Sequence, residues 1–143
     1  MDRDRFVGTW RLVSMEGRSE DGSVSYPFGA DAQGMITYDN QGYMQVQIMR
    51  RDRPRFAGND QGRGTAEENQ AALQGYLAYF GTYELREDGT VVHHMEGSIF
   101  PNWVGGEIRR FWEFSGDRLV LRGPLASFGG QTRSVVIVWE RIA

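Results

Sequence analysis

The feature that most restricts how this chain can fold is a residue period of two, interrupted at short intervals by turn signals. Thr9 to Glu16 alternates, with Trp10, Leu12 and Ser14 on one face and Arg11, Val13 and Met15 on the other. Such a period belongs to a strand with one buried face. Met35 to Tyr38 and Tyr43 to Met49 flank Asp39-Asn40-Gln41-Gly42 and read as a hairpin. Thr82 to Leu85 and Thr90 to Ser98 flank the Glu87-Asp88-Gly89 turn, and Glu107 to Phe114 and Arg118 to Arg122 flank Ser115-Gly116-Asp117. Arg133 to Ile142 makes a final strand, and Ser23 to Tyr26 a short one between the Glu20-Asp21-Gly22 turn and Pro27.

One segment departs from this pattern. Arg50 to Gly64 has no periodicity, and it leads to Thr65, a good N-cap with Glu68 three residues later as a capping-box partner. Ala72, Leu73, Tyr76, Leu77 and Phe80 then fall at helical spacing, which predicts a helix over 65–79 ending near Gly81. Residues 1–143 contain no linker or repeat, so the chain is expected to be a single domain. Sequential hairpins with one inserted helix predict an all-β fold, an antiparallel up-and-down barrel of eight or nine strands. Closure removes the edge strands that an open sheet would expose. A barrel of about eight strands has room for one small ligand.

Composition narrows the chemistry. Sixteen basic against nineteen acidic residues leave a formal charge of −3, with no global positive field for nucleic acid or an anionic membrane. No apolar run approaches the roughly 20 residues of a membrane span, and the first residues lack the apolar stretch of a secretory signal, so the expected location is cytoplasmic. The chain has no Cys, which removes disulfides and thiolate chemistry. All its basic residues are Arg, so a lysine Schiff base and a Walker-type phosphate lysine are also excluded. Two adjacent His on a strand diverge, so no metal site is expected, and no cofactor is called for, although a single His could serve as an axial haem ligand.

The Gly8-Thr9-Trp10 triplet reproduces the Gly-x-Trp signature with which lipocalins open their first strand. The segments DGSVSYPFG (21–29), GYM (42–44), GYLAYFGTYE (75–84), HHMEGSIFPNWVG (93–105) and VWER (138–141) extend the likeness over almost the whole chain. In that order they resemble the bacterial and fungal lipocalin-like domain family. The resemblance implies a calycin-type barrel with an internal pocket for a small apolar or aromatic molecule. It further implies that Trp10 closes the barrel floor beneath an Arg from the last strand, for which Arg141 is best placed.

The sharpest local signal for chemistry is Thr90 to Ser98. Alternation puts His94, Glu96 and Ser98 on one face and His93 with Val91 and Met95 on the other, so one His looks inward. The apolar company of His93 favours it, while His94 and Glu96 form a polar pair that argues the other way. His93, His94 and Glu96 are therefore the candidate acid–base groups, with Tyr83 as a further proton carrier. Tyr38, Met44, Tyr83, His93, Asn102, Trp103 and Trp112 are the candidate ligand contacts, as large or polar side chains in strands or in the loop after Ile99. Arg50, Arg51, Arg53 and Arg55 form a basic cluster that reads as a solvated surface or an electrostatic rim. The expected partner is a small apolar or aromatic ligand, with neither nucleic acid nor membrane, and a homodimer is compatible with exposed aromatics. Two functions fit: a binding protein that encloses such a molecule, or a non-metal isomerase, cyclase or hydro-lyase on the same scaffold.

Overall fold

In the computed structural model, which describes residues 2–128 and 131–143 and the side chains outside 124–133, one antiparallel sheet rolls up and closes on itself. The strands are β1 (Gly8–Arg18), β2 (Val24–Ser25), β3 (Gln33–Tyr38), β4 (Tyr43–Met49), β5 (Tyr76–Leu85), β6 (Thr90–Ser98), β7 (Glu107–Ser115), β8 (Arg118–Phe128) and β9 (Gln131–Arg141). Each strand from β3 to β9 pairs with the next, and β1 joins β3 on one side and β9 on the other. Eight strands thus form the barrel. The short β2 pairs only with the end of β1, at Gly17 and Arg18. The expected up-and-down barrel is the observed fold.

Alternation decides what fills it. Along β4, Met44, Val46 and Ile48 are buried while Tyr43, Gln45 and Gln47 are exposed. The same period puts Ile36 and Tyr38 inward on β3, and Leu119 and Leu121 on β8.

One end of the barrel is sealed by α1 (Asp2–Phe6), a short helix the sequence did not announce. Its Phe6 is fully buried and meets Tyr38, Trp112 and Phe114 edge-on, with ring centroids 5.2, 5.3 and 5.2 Å away. The Gly-x-Trp triplet is the hinge of this floor. Trp10 Nε1 donates to the Phe6 carbonyl at 3.0 Å, and the Arg141 guanidinium lies 4.2 Å from the indole centroid. Arg141 also donates to the carbonyls of Val7 and Arg5, tying the last strand to the helix. Gly8 has φ +143°, and a Cβ there would lie 2.4 Å from Arg141 Nη1 and 2.6 Å from the Ala143 carbonyl oxygen. Glycine is what lets the chain pass from helix to strand under that arginine.

The second helix is shorter than its apolar spacing predicts. α2 (Ala66–Gln74) starts at the expected Thr65 cap, whose hydroxyl accepts from Glu68 N while the Glu68 carboxylate accepts from Thr65 N. It stops at Gly75, whose N–H bonds to the Ala71 carbonyl. Tyr76, Leu77 and Phe80 belong to β5 instead, paired residue for residue with β4 from Met49↔Tyr76 to Tyr43↔Thr82. The aromatic run is a good strand former, and a ladder of cross-strand bonds outweighs a helical stripe with nothing to rest on. Phe80 therefore faces outward, over Gly97, and no residue of α2 is buried. The third hairpin is also longer than expected, with β8 running to Phe128 and a register shift between Gly123 and Ala126.

Candidate functional site

The end of the barrel opposite α1 holds a cleft of about 730 Å³ among the described residues. Its wall is built from four places in the chain: Pro27 and Phe28 after β2, Arg50 to Pro54 after β4, the end of α2 with the start of β5, and Ile99 to Trp103 after β6. A 3₁₀ turn at Pro101–Trp103 holds Trp103 against Phe100, 5.6 Å between centroids, and against Tyr79, 6.2 Å away. Trp103 thus links the cleft to the interior. Arginines brace the rim: Arg50 donates to the Pro27 carbonyl and pairs with Asp52, Arg51 donates to the Asp31 carbonyl, and Arg53 stacks 5.0 Å from the Tyr76 ring and donates to Ala72. Of the predicted cluster, these three hold loops together.

Below Trp103 a polar relay crosses the apolar core. His93 is almost fully buried and turns inward from β6, with Nδ1 2.7 Å from the Tyr79 hydroxyl and Nε2 2.6 Å from the Tyr38 hydroxyl. Register explains this: Tyr83↔His93 and His93↔Ile108 are direct partners, and Val91 and Met95 point inward with it. Gly81 makes the crossing possible, because a Cβ there would lie 1.8 Å from the His94 carbonyl oxygen. Pairing shifts there, so Gly81 faces Met95 and Phe80 faces Gly97.

Burial sets the electrostatics of the relay. It lowers the His93 pKa to about 3, helped by the nearby Arg110 charge, so the imidazole is neutral. It pushes Tyr79 up to about 12 and Tyr38 well above the usual phenol range. All three groups are held uncharged at neutral pH. Arg110 itself enters from the inward face of β7, and burial lowers its pKa against the pull of Tyr79 and Tyr38.

Residues 7–142 match the lipocalin-like domain family. The chain belongs to that family. It is 34% identical over 108 residues to the 4'-hydroxy-3'-methoxypropiophenone carrier protein ppsC of Aspergillus oryzae, covering 69% of this chain and 96% of that protein. A looser likeness, at TM-score 0.43 and 16% identity, is to the zebrafish ileal bile acid-binding protein in complex with cholic acid, over 96% of this chain and 99% of that one.

Within this lipocalin-like barrel the expected site residues separate. Tyr38, Met44 and His93 are buried in the interior, Trp112 lies on its lining, and Trp103 is at the cleft. Asn102 is exposed beside Trp103. Tyr83 is inward too, but its hydroxyl donates to the Asp39 carbonyl at 2.7 Å instead of serving His93. His94 lies outside, 3.1 Å from Glu84 and 3.7 Å from Glu107, and Glu96 is exposed, on the other face of β6 from His93. The side chains that the structure brings to the His93 ring are Tyr38 and Tyr79. Both ring nitrogens of His93 face tyrosines, so axial haem ligation there would first break one of those bonds. Tyr79 was hidden by the helical reading of its segment. Arg110 was not hidden: it alternates with Ile108, Trp112 and Phe114 on one face of β7, an Arg in an apolar series.

Proposed function

We propose that this protein binds and carries a small aromatic molecule, which enters through the cleft at the open end and lodges against Trp103 and Tyr79. The observation that carries this reading is the cleft itself. It has the volume of a small-molecule site, a largely apolar and aromatic wall, and a few polar groups, Arg50, Asp52, Arg53 and Gln74, along that wall, which is the usual make-up of such pockets. Phe6 packs among aromatic rings at the floor, which supports entry from the cleft end. The relative ppsC is named for carrying 4'-hydroxy-3'-methoxypropiophenone, a phenolic aryl ketone, and that compound is the natural first probe for this chain.

Catalysis on the same scaffold is the weaker reading. A general base works best with a pKa near the operating pH, and His93 at about 3 and Tyr79 at about 12 lie far to either side. Such a relay orients a ligand by hydrogen bonds more readily than it moves a proton. The carrier reading extends to a cytosolic setting and is compatible with pairing of two copies. Titration of 4'-hydroxy-3'-methoxypropiophenone followed by tryptophan fluorescence is the test. Saturable binding at one site, weakened about tenfold by Trp103→Ala, is expected, since losing a buried aromatic contact costs on the order of 1–2 kcal/mol. No saturable response to this or to other aromatic probes would remove the carrier reading. Conversion of the compound on incubation with the protein would favour the enzyme.

A further inference from the structure

The barrel interior is furnished with hydrogen-bond donors and has no acid to match them. Arg110 lies across Gly123 of β8, where a Cβ would fall 2.4 Å from Nη1 and 2.8 Å from Cζ. The glycine leaves the space in which this charge is held. Among the described residues Arg110 makes one side-chain hydrogen bond, from Nη1 to the Arg109 carbonyl at 3.2 Å, and no ion pair. None of the nineteen Asp and Glu is buried, and the sequence of 124–133, PLASFGGQTR, contains none. Tyr38 and Tyr79 do not neutralise it either, because burial keeps both phenols protonated.

The relay leads to the same conclusion by counting hydrogens. A neutral imidazole has one N–H and one acceptor nitrogen. With a tyrosine at each nitrogen, one hydroxyl donates to the ring and the other accepts from it. Whichever tautomer holds, one phenol hydrogen is left free to donate. Independently, Trp112 Nε1 and Trp139 Nε1 are buried side-chain polar atoms without a partner among the described residues, both N–H donors, and Arg53 Nε at the rim is a third. Buried polar groups are normally satisfied, and a set of one sign asks for a molecule of the other.

We propose that the ligand is an aromatic anion, a carboxylate or a phenolate, whose charged oxygen pairs with Arg110 and accepts the free tyrosine hydrogen of the Tyr38–His93–Tyr79 relay. This rests on the carrier reading and adds the charge of what is carried. A neutral hydrocarbon would leave Arg110 and the free tyrosine hydrogen unmet. A cation would face Arg110 directly.

Calorimetric titration near pH 7 with naphthalene-2-carboxylate and with its methyl ester tests it, since the two differ in charge on one aromatic frame. Wild type should bind the carboxylate at least about tenfold more tightly, as a charge-assisted bond in a dry site allows. Arg110→Met and Arg110→Gln should each erase that preference while still binding the ester, which also shows that the variants fold. Titrating 2-naphthol by absorbance separates the two anions: if phenolates are taken, its naphtholate band appears at lower pH with protein than without. Equal affinity for acid and ester in wild type, or a preference that survives both substitutions, overturns the inference and leaves the carrier reading intact. If neither naphthalene compound nor the propiophenone binds, the carrier reading itself fails.

Discussion

At the scale of single residues, the interior is organised around one group that is polar and uncharged. His93 reaches a pKa of about 3 because burial opposes its cation and Arg110 repels it, while Tyr38 from β3 and Tyr79 from β5 engage the neutral ring. The consequence for stability follows from proton binding. In the unfolded chain this His titrates near its ordinary 6.5, so between about pH 6.5 and about 3 the unfolded state holds a proton that the folded state does not. Stability is unaffected by this group above that window and falls as acid is added through it, by up to about 1.4 kcal/mol per pH unit. His94 and the carboxylates also titrate, so the share belonging to His93 is read by difference. Urea unfolding of wild type and His93→Gln at several pH values from 8 down to about 4.5 should give curves parallel above pH 7 that converge below about 6.5. Curves that stay parallel throughout would mean that His93 is not held neutral. Gly8 acts at the same scale by leaving a space: only a residue without a side chain passes beneath Arg141 at φ +143°.

At the scale of elements, the two helices do different work, and the contacts show it. α2 buries none of its residues, and Leu73 on it remains about half exposed. Its stability comes largely from its capping box and from Arg53 at its C-terminal end. Removing the cap with Thr65→Ala should cost about 1 kcal/mol locally. Amide exchange across 66–74 should then speed up about fivefold with the global unfolding midpoint nearly unchanged, as expected of a part that opens independently of the barrel. A matching fall in the global midpoint would show instead that α2 is integral to the core. The same helix marks where sequence reading runs out. Its start was legible, because the cap is chemistry between neighbours, Thr65 and Glu68. Its end was not, because 72, 73, 76, 77 and 80 fit a helical stripe while 77, 79 and 83 fit a strand equally well. Pairing with β4, about 30 residues away, settles the competition in favour of the strand. That one ambiguity concealed Tyr79 and with it the relay. The strands elsewhere were legible because each turn signal and each alternation is local. The inward side of β6 was readable only as a choice between two His, since a one-residue slip would exchange them.

At the scale of the whole molecule, the described residues give the barrel two unlike ends, one packed by a helix and one lined by loops around a cleft. Closure by β1 and β9 leaves no free lateral edge along most of its length. At the floor, α1 inserts Phe6 among Tyr38, Trp112 and Phe114, its carbonyl takes the Trp10 N–H, and Arg141 binds the same turn from the last strand. First and last segments of the chain are thereby locked into one unit. At the other end, among the described residues, loops and the loosely held α2 surround the cleft. The floor should consequently unfold only with the barrel, and the mouth without it. Phe6→Ala removes a fully buried ring and should lower global stability by about 3–5 kcal/mol, the usual cost of deleting a core phenylalanine. Leu73→Ala, at the mouth, should change it by less than about 1 kcal/mol. Equilibrium urea unfolding of the two variants makes the comparison, and it depends on the ratio more than on either value. If the two substitutions cost the same, the floor is no more a part of the cooperative unit than the mouth is. Entry of ligand past α1 would then be as open as entry past α2.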